Sequence, residues 1–440
     1  MRMSNKEKSV MHTEKDDATM LPRLRFPEFR DSGDWTVVPL GKIAEILSEK
    51  AGSRKLTLFS ITSGVGLVSQ IEKFGREIAG AQYKNYYVIH PNDFAYNKSA
   101  TKDFPEGFIA CHQGAEPGAV PNSIFTCFRV RPGVSYPPLL NYQFANNLHG
   151  KWLRRFITVG ARAHGSLNVD DDDLLATPVP VPPLATRIAE QRKIADCLSS
   201  LDDLIAAECQ RLERLQTHRA VLMQRILPCN GESAPRMRFP EFRERGPWRN
   251  KTLSQIAEIR SGSTPSRAES AFYSGGTIPW VKTTDLNNGF IARTEECITP
   301  AARARVNPAG SVLVAMYGGF KQIGRTGYLT LPAATNQAIS VLNADENEVL
   351  PIYLLTWMNA RVGDWKRIAS SSRKDPNITG TDVANFPISY PDKDEQQKIA
   401  DAVTTVNDGI EAQGNRIVSL KEHKVGLLQQ LFPATSEVSE

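Results

Sequence analysis

Basic side chains interleaved with amides, hydroxyls and tyrosines recur in five stretches of this sequence. In the first half, residues 95–102 offer Tyr96, Asn97, Lys98 and Lys102, and the turn region around 154–166 offers Arg154, Arg155, Arg162, His164 and Ser166. In the second half, residues 280–288 offer Lys282, Thr283 and Thr284, and residues 317–325 offer Tyr317, Lys321, Gln322 and Arg325. A last group, Lys366, Arg367, Arg373 and Lys374, lies at the end of the second half that matches the first half's turn region. Arginine and lysine neutralise phosphates, whereas arginine, asparagine and glutamine also pair bidentately with base edges. Turns rich in Gly and Ser let a backbone come close. The chemistry on offer is the reading of nucleic acid.

No catalytic constellation accompanies these residues. There is no GxxxxGK[ST] loop, and YGGFKQIGRTG (317–327) does not match GxGxxG. An Asn-Pro-Pro-aromatic motif for amino-methyl transfer is missing, and DPNI (375–378) does not replace it. The 7 histidines form no HxxxH or HExxH pair, so no metal site is expected. Four aspartates at 170–173 read as a solvated turn, and PDKDEQQK (391–398) reads as an acidic helix start. The 6 cysteines form no CxxC pair and are expected as reduced thiols. The first twenty residues lack the apolar segment of a signal peptide, and no run is long enough to span a membrane. The expectation is a non-enzymatic, soluble, cytoplasmic chain without a membrane partner.

With 440 residues, 41% of them hydrophobic and 23% charged, the chain supports two globular cores. Its net charge of +5 permits a nucleic-acid partner without requiring one. The surplus is distributed unevenly. Residues 21–180 hold 18 Lys/Arg against 15 Asp/Glu, residues 237–385 hold 18 against 13, and residues 186–228 hold 7 against 6.

The sequence is also an internal duplication. LRFPEFRDSGDWTVVPLGKIAEI (24–46) is answered 213 residues later by MRFPEFRERGPWRNKTLSQIAEI (237–259). EQRKIADCLSSLDDLI (190–205) is answered 205 residues later by EQQKIADAVTTVNDGI (395–410). These segments carry apolar residues at steps of 3 and 4: Ile194, Leu198, Leu201, Ile205, Leu212, Leu215, Leu222 and Ile226 in the first copy. The second copy has Ile399, Val403, Val406, Ile410, Ile417, Leu420, Leu427 and Leu431. Such a stripe is the seam of a coiled coil. Its interruptions recur too, Glu208 answering Gln413 and Arg219 answering Lys424, and both copies stop at a proline, Pro228 and Pro433. At ~1.5 Å per residue, about 38 helical residues span nearly 60 Å, which suits a spacer paired with its own repeat.

The expected fold is α+β: two globular units of mixed β-structure with helices, in tandem, joined by two long antiparallel coiled-coil helices in a pseudo-twofold arrangement. The expected boundaries are a disordered tail at 1–20, a domain at 21–185, a helix at 186–228, a linker at 229–236, a domain at 237–391, a helix at 392–433 and a tail at 434–440. Strands are expected within 84–97, 125–130, 311–317 and 336–342. Helical stretches are expected at 139–156 and 351–368, and Pro-rich extended exits precede the long helices at 176–184 and 385–391.

The doubled FPEF start, SGSTP (261–265), IPWVKTTDL (278–286), TNQAI (335–339) and the Pro-rich exit followed by EQ-x-KIA resemble specificity subunits of type I restriction–modification systems. The first half has SITSGVGLVSQ (60–70) where the second has SGSTP and IPWVK, which points to a different half-site. The resemblance implies two target-recognition domains that read the halves of a bipartite, asymmetric site in double-stranded DNA. It implies helices that set the gap between half-sites and dock two methyltransferase subunits and restriction/translocase subunits. S-adenosylmethionine, ATP and Mg²⁺ would then serve the partner subunits, with no cofactor in this chain. The alternative reading is a stand-alone coiled-coil adaptor whose halves bind proteins.

Overall fold

In the computed structural model of the chain, the structure describes residues 20–62, 64–78, 81–157, 167–229, 232, 234–370 and 377–433. Two compact units emerge, residues 1–207 with 417–440 and residues 208–416. Each therefore contains one globular domain, the start of the long helix that follows it and the end of the other long helix.

In the first unit the main sheet is antiparallel, in the order Ala44–Ile46, Phe125–Val130, Phe94–Asn97, Phe108–Cys111. Side chains alternate across its faces. Phe94, Tyr96 and Phe128 pack with Leu140, Phe144 and Leu153 of the helices Pro137–Ala145 and Leu148–Leu153. Ala95, Phe125 and Cys127 face the other way, onto Ile61, Ile89 and Val120 of a second sheet. That sheet runs Gly66–Ser69, Thr57–Thr62, Gly118–Val120, Tyr87–Ile89.

The second unit repeats the main sheet. Ala257–Ser261, Ile339–Ala344, Val312–Ala315 and Thr326–Leu329 follow in the same order, with Gly289–Ile291 added in parallel at the edge. Ala44 pairs with Val130 in the first unit, and its repeat Ala257 pairs with Ala344 in the second. A three-stranded sheet, Glu296–Ile298, Ile278–Val281, Ala334–Thr335, completes it. The two helical stretches expected at 139–156 and 351–368 are each broken once, into Pro137–Ala145 and Leu148–Leu153, and into Pro351–Ala360 and Val362–Ser370. The first break falls at Asn147, whose φ of +59° is a left-handed conformation that asparagine tolerates.

The Pro-rich exits are strands. Pro178–Val181 pairs antiparallel with Thr36–Pro39, and Pro387–Tyr390 pairs with Arg249–Thr252. A two-stranded ribbon leaves alternate N–H groups unpaired, and Pro178 and Pro180, two residues apart, suit those positions. The aspartates at 170–173, expected as a turn, instead start a short helix, Asp171–Leu175. Acidic groups in a first turn complement the unpaired N–H groups there.

The repeated motifs hold each domain to its helix. Arg25 donates to Glu190 at 2.7 and 2.8 Å and to the carbonyl of Gly33 at 2.6 Å. Arg238 does the same to Glu395 at 2.8 and 2.6 Å and to Gly246 at 3.1 Å. The neighbouring glutamines accept the N–H groups that lead into the domain helices, Tyr136 N–H to Gln191 and Leu350 N–H to Gln396, each at 2.8 Å. The RFPEF and EQ strings thus meet in space, about 160 residues apart in sequence.

The long helices are Arg187–Ile226 and Lys393–Leu431. Every apolar seam position expected from the sequence is buried or half-buried. In the first unit Ile194 and Leu198 share a cluster with Leu427 and Leu431. In the second the repeats of those residues, Ile399 and Val403, share one with Leu222 and Ile226. Within the second unit Glu208 meets Arg416 and Arg219 meets Asn407, so position rises on one helix as it falls on the other. The helices run antiparallel there. Met20, expected at the end of the N-terminal tail, is bridged to Trp35. The rest of that tail, residues 1–19, and the C-terminal tail, residues 434–440, lie outside the described residues.

Candidate nucleic-acid interface

In the first unit, Tyr96, Asn97, Lys98 and Lys102 occupy the end of strand Phe94–Asn97 and its connection to Phe108–Cys111. Tyr96 is fully buried and donates its hydroxyl to the carbonyl of Glu106 at 2.9 Å, so it builds the corner rather than lining its surface. Burial raises its pKa, with the nearby Glu106 carboxylate adding to the shift. Asn97 accepts from the N–H of Ser99 at 3.0 Å, and Lys98 lies 3.7 Å from Asp171. Lys102 is exposed. Arg154 and Arg155 follow the helix Leu148–Leu153; both are exposed, Arg154 pairing with Glu106 and Arg155 lying 5.4 Å over Trp152. Arg162, His164 and Ser166 lie outside the described residues.

In the second unit, residues 317–325 form the matching connection, between Val312–Ala315 and Thr326–Leu329. Tyr317 is 37% exposed, Lys321 is exposed, and Arg325 donates to Gln322 at 2.9 Å. Lys366 lies 5.4 Å over Phe320, and a Cβ on Gly318 would sit 3.3 Å from Thr283 Oγ1. These contacts gather three stretches, 283, 317–325 and 366, that are far apart in sequence. Arg367 pairs with Asp364 at 3.0 Å, and Thr284 is exposed. Arg373 and Lys374 lie outside the described residues.

Lys282 is differently placed. Its ammonium is 2.7 Å from both Glu295 and Glu296, which raise its pKa, and its charge is spent inside the domain. Glu296 in turn is held down to about 2, first by Arg267 and then by Lys282.

The two units close this region in the same way. The Leu167 N–H donates to the Lys98 carbonyl at 2.7 Å, and the Ile378 N–H donates to the Met316 carbonyl at 2.7 Å. In each case the described chain that follows the basic stretch joins the same hairpin connection of the main sheet. The halves diverge in sequence here, so only the fold reveals that 95–102 and 317–325 are equivalent. Glu106, buried behind Arg154, escapes a sequence reading because an isolated acidic residue carries no pattern. Exposed Arg293, Arg303 and Arg305 in the second unit form no motif either.

Among the described residues, no group of three or more His, Cys, Asp or Glu is arranged to hold a metal, and no helix is long and apolar enough to cross a membrane. All six cysteines are free thiols, and burial pushes that of Cys111 up to about 12.

Residues 246–422 match the family described as the type I restriction modification DNA specificity domain. The chain is 27% identical over 192 residues to the type I restriction enzyme MjaIX specificity subunit of Methanocaldococcus jannaschii, covering 42% of this chain and 44% of the relative. It is 25% identical over 201 residues to the EcoR124I/EcoR124II specificity subunit of Escherichia coli, covering 43% and 50%. The chain thus spans about half the length of the curated relatives it matches. A solved type I restriction–modification S subunit from M. genitalium superposes with a TM-score of 0.57 at 14% identity, over 95% of this chain and 100% of the other. A chain from a structural study of type I R-M complex assembly and conformational transition gives 0.57 at 17% identity, over 91% and 98%. At such identities these two likenesses show the fold. The second half thus carries a match to the type I restriction modification DNA specificity domain, and the chain as a whole is similar in sequence and fold to type I restriction–modification specificity subunits.

Proposed function

We propose that the chain reads DNA for a type I restriction–modification complex and performs no chemistry itself. Each globular domain recognises one half of an interrupted, asymmetric site in double-stranded DNA. The two long helices set the gap between the half-sites and dock two methyltransferase subunits, with restriction/translocase subunits joining the assembly. S-adenosylmethionine is then used by the methyltransferase subunits, and ATP and Mg²⁺ by the restriction subunits.

The observation that carries this reading is the doubled closure of the main sheet, Leu167 onto Lys98 and Ile378 onto Met316. It puts basic, amide and hydroxyl side chains at the same corner of two domains whose sequences differ there, as two readers of unlike half-sites require. The relatives that the chain matches over about half their length are named type I restriction enzyme specificity subunits, which supports the same reading.

Mapping genomic methylation in the host with and without this gene tests it. The expected result is one interrupted motif that disappears with the gene. The purified complex should bind that duplex when the gap sequence is scrambled and release it when the gap is lengthened. Loss of no methylated motif, with protein partners captured instead, would favour the adaptor reading.

A further inference from the structure

Arg154 is the exposed end of an ion pair whose other end is buried: side-chain exposure is 72% for Arg154 and 3% for Glu106. Its Nε donates to Glu106 Oε1 at 2.7 Å, and Nη2 donates to the same oxygen. Glu106 cannot follow the arginine outward. Its carbonyl accepts from the Tyr96 hydroxyl at 2.9 Å, and the next carbonyl, that of Gly107, accepts from His149 Nε2 at 3.2 Å. Gly107 has φ +82°, and a Cβ there would lie 2.4 Å from the Asn97 carbonyl and 2.7 Å from the Tyr96 ring. The turn is clamped between strand and helix, so the carboxylate fixes the guanidinium and not the reverse. Its other oxygen, Oε2, is buried without a hydrogen-bond partner among the described residues.

A guanidinium presents five N–H donors in one plane. Glu106 takes the edge made by Nε and one Nη2 hydrogen. The outward edge, Nη1 with the second Nη2 hydrogen, remains as a parallel fork. That fork matches the O6 and N7 acceptors of guanine in the major groove. A phosphate contact gains little from such fixing, since a flexible cation neutralises phosphate equally well, and a buried carboxylate beside it weakens the attraction. A base edge, by contrast, demands orientation.

We propose that Glu106 presets Arg154 to read a guanine in the half-site of the first domain, Arg154 making the contact and Glu106 positioning it. The proposal rests on the DNA-reading function above and deepens it.

The test uses the full chain assembled with its methyltransferase subunits and the duplex found by methylation mapping. Each guanine is replaced in turn by 7-deazaguanine, which lacks the N7 acceptor. At one position in one half-site the native complex should lose about tenfold in affinity. Arg154→Ala should lose as much on the natural duplex and then be indifferent to the analogue at that position. Glu106→Gln, which keeps an oxygen acceptor but removes the charge, should reduce discrimination against a mismatched base pair there without weakening binding to unrelated DNA. If Arg154→Ala weakens every duplex alike, flattens the salt dependence and remains sensitive to each analogue, Arg154 binds phosphate and the proposal is overturned. The analogue series on the native complex needs no variant, so misfolding of Glu106→Gln cannot mask the answer. Should the native complex fail to discriminate any duplex, the DNA-reading function itself falls.

Discussion

Gln413 donates its side-chain amide to the backbone carbonyl of Glu208 at 3.0 Å and to its carboxylate at 2.7 Å, joining residues that hold the same position in the two repeats. Both are buried within a largely apolar stripe, and Arg416 Nε adds a contact to Glu208 at 2.8 Å. A polar pair inside a helical seam is satisfied in one register only, and slippage would leave a carboxylate among leucines. Gln413→Leu should therefore destabilise the chain by about 1–3 kcal/mol, because Glu208 stays buried with fewer partners. Glu208→Leu combined with Gln413→Leu should recover that loss. Chemical unfolding of the three proteins checks this; a double variant as weak as Gln413→Leu would show that the pair is not coupled.

The same seam can be opened where it is apolar. Leu201 and Val406 are half-buried on the two helices at equivalent repeat positions. Aspartate at both should lower the melting temperature and abolish co-purification with the methyltransferase subunits. Unaltered complex formation would mean that the stripe is not what the assembly needs.

Arg25 and Arg238 make equivalent clamps in unequal surroundings. Arg25 and Glu190 have side-chain exposures of 6% and 0%, against 14% and 1% for Arg238 and Glu395. Trp35 Nε1 also donates to Glu190 at 3.0 Å, whereas its repeat Trp248 has no partner for its buried Nε1 among the described residues. Breaking a buried ion pair from one side costs about 3–5 kcal/mol. On its deeper burial Arg25→Ala should fall in that range and exceed Arg238→Ala, as measured by denaturant midpoints; equal losses would mean that the Trp35 donor left on Glu190 makes up for the difference in burial.

These clamps also show how far the sequence could be read. The repeats, the seam and the extended exits were legible because spacing and composition express periodic burial directly. RFPEF and EQ-x-KIA were visible as repeats, but their purpose was not, since an arginine and a glutamate that bond across 165 residues leave no local pattern. The aspartates at 170–173 went from expected turn to helix start for a related reason: the acidic run is compatible with both, and packing of Leu174 in the core decides. Lys282 and Tyr96 had the right chemistry for a DNA contact, yet their partners are Glu295, Glu296 and the Glu106 carbonyl, which only folding supplies.

His149 gives a pH dependence whose sign follows from its burial. It is fully buried, and desolvation lowers its pKa from 6.5 to about 4, against smaller opposing effects from the Gly107 carbonyl and Glu106. The unfolded chain takes up this proton near 6.5 and the folded one only near 4, so stability falls as the pH drops between them. At 1.36 kcal/mol per unit the loss approaches about 3 kcal/mol. Melting temperature followed from pH 7 to 4.5 should drop more steeply in the native chain than in His149→Gln. Parallel profiles would remove His149 from the account.

Lys102 and Lys321 stand on the equivalent hairpin connections of the two domains, both exposed and neither in an ion pair among the described residues. A lysine placed there can reach a phosphate without orienting to a base. Counterion release makes each phosphate contact worth close to one unit in the slope of log affinity against log salt. Lys102→Ala and Lys321→Ala should thus each reduce that slope by about 1 and weaken cognate and unrelated duplexes alike, and the double variant should reduce it by about 2. Additivity is expected if each domain reads its own half-site, as proposed, because the two phosphate contacts are then independent. If one substitution flattens the slope and the other leaves it untouched, the two connections do not face DNA in the same way, and the equivalence drawn from the main sheets does not extend to the bound state.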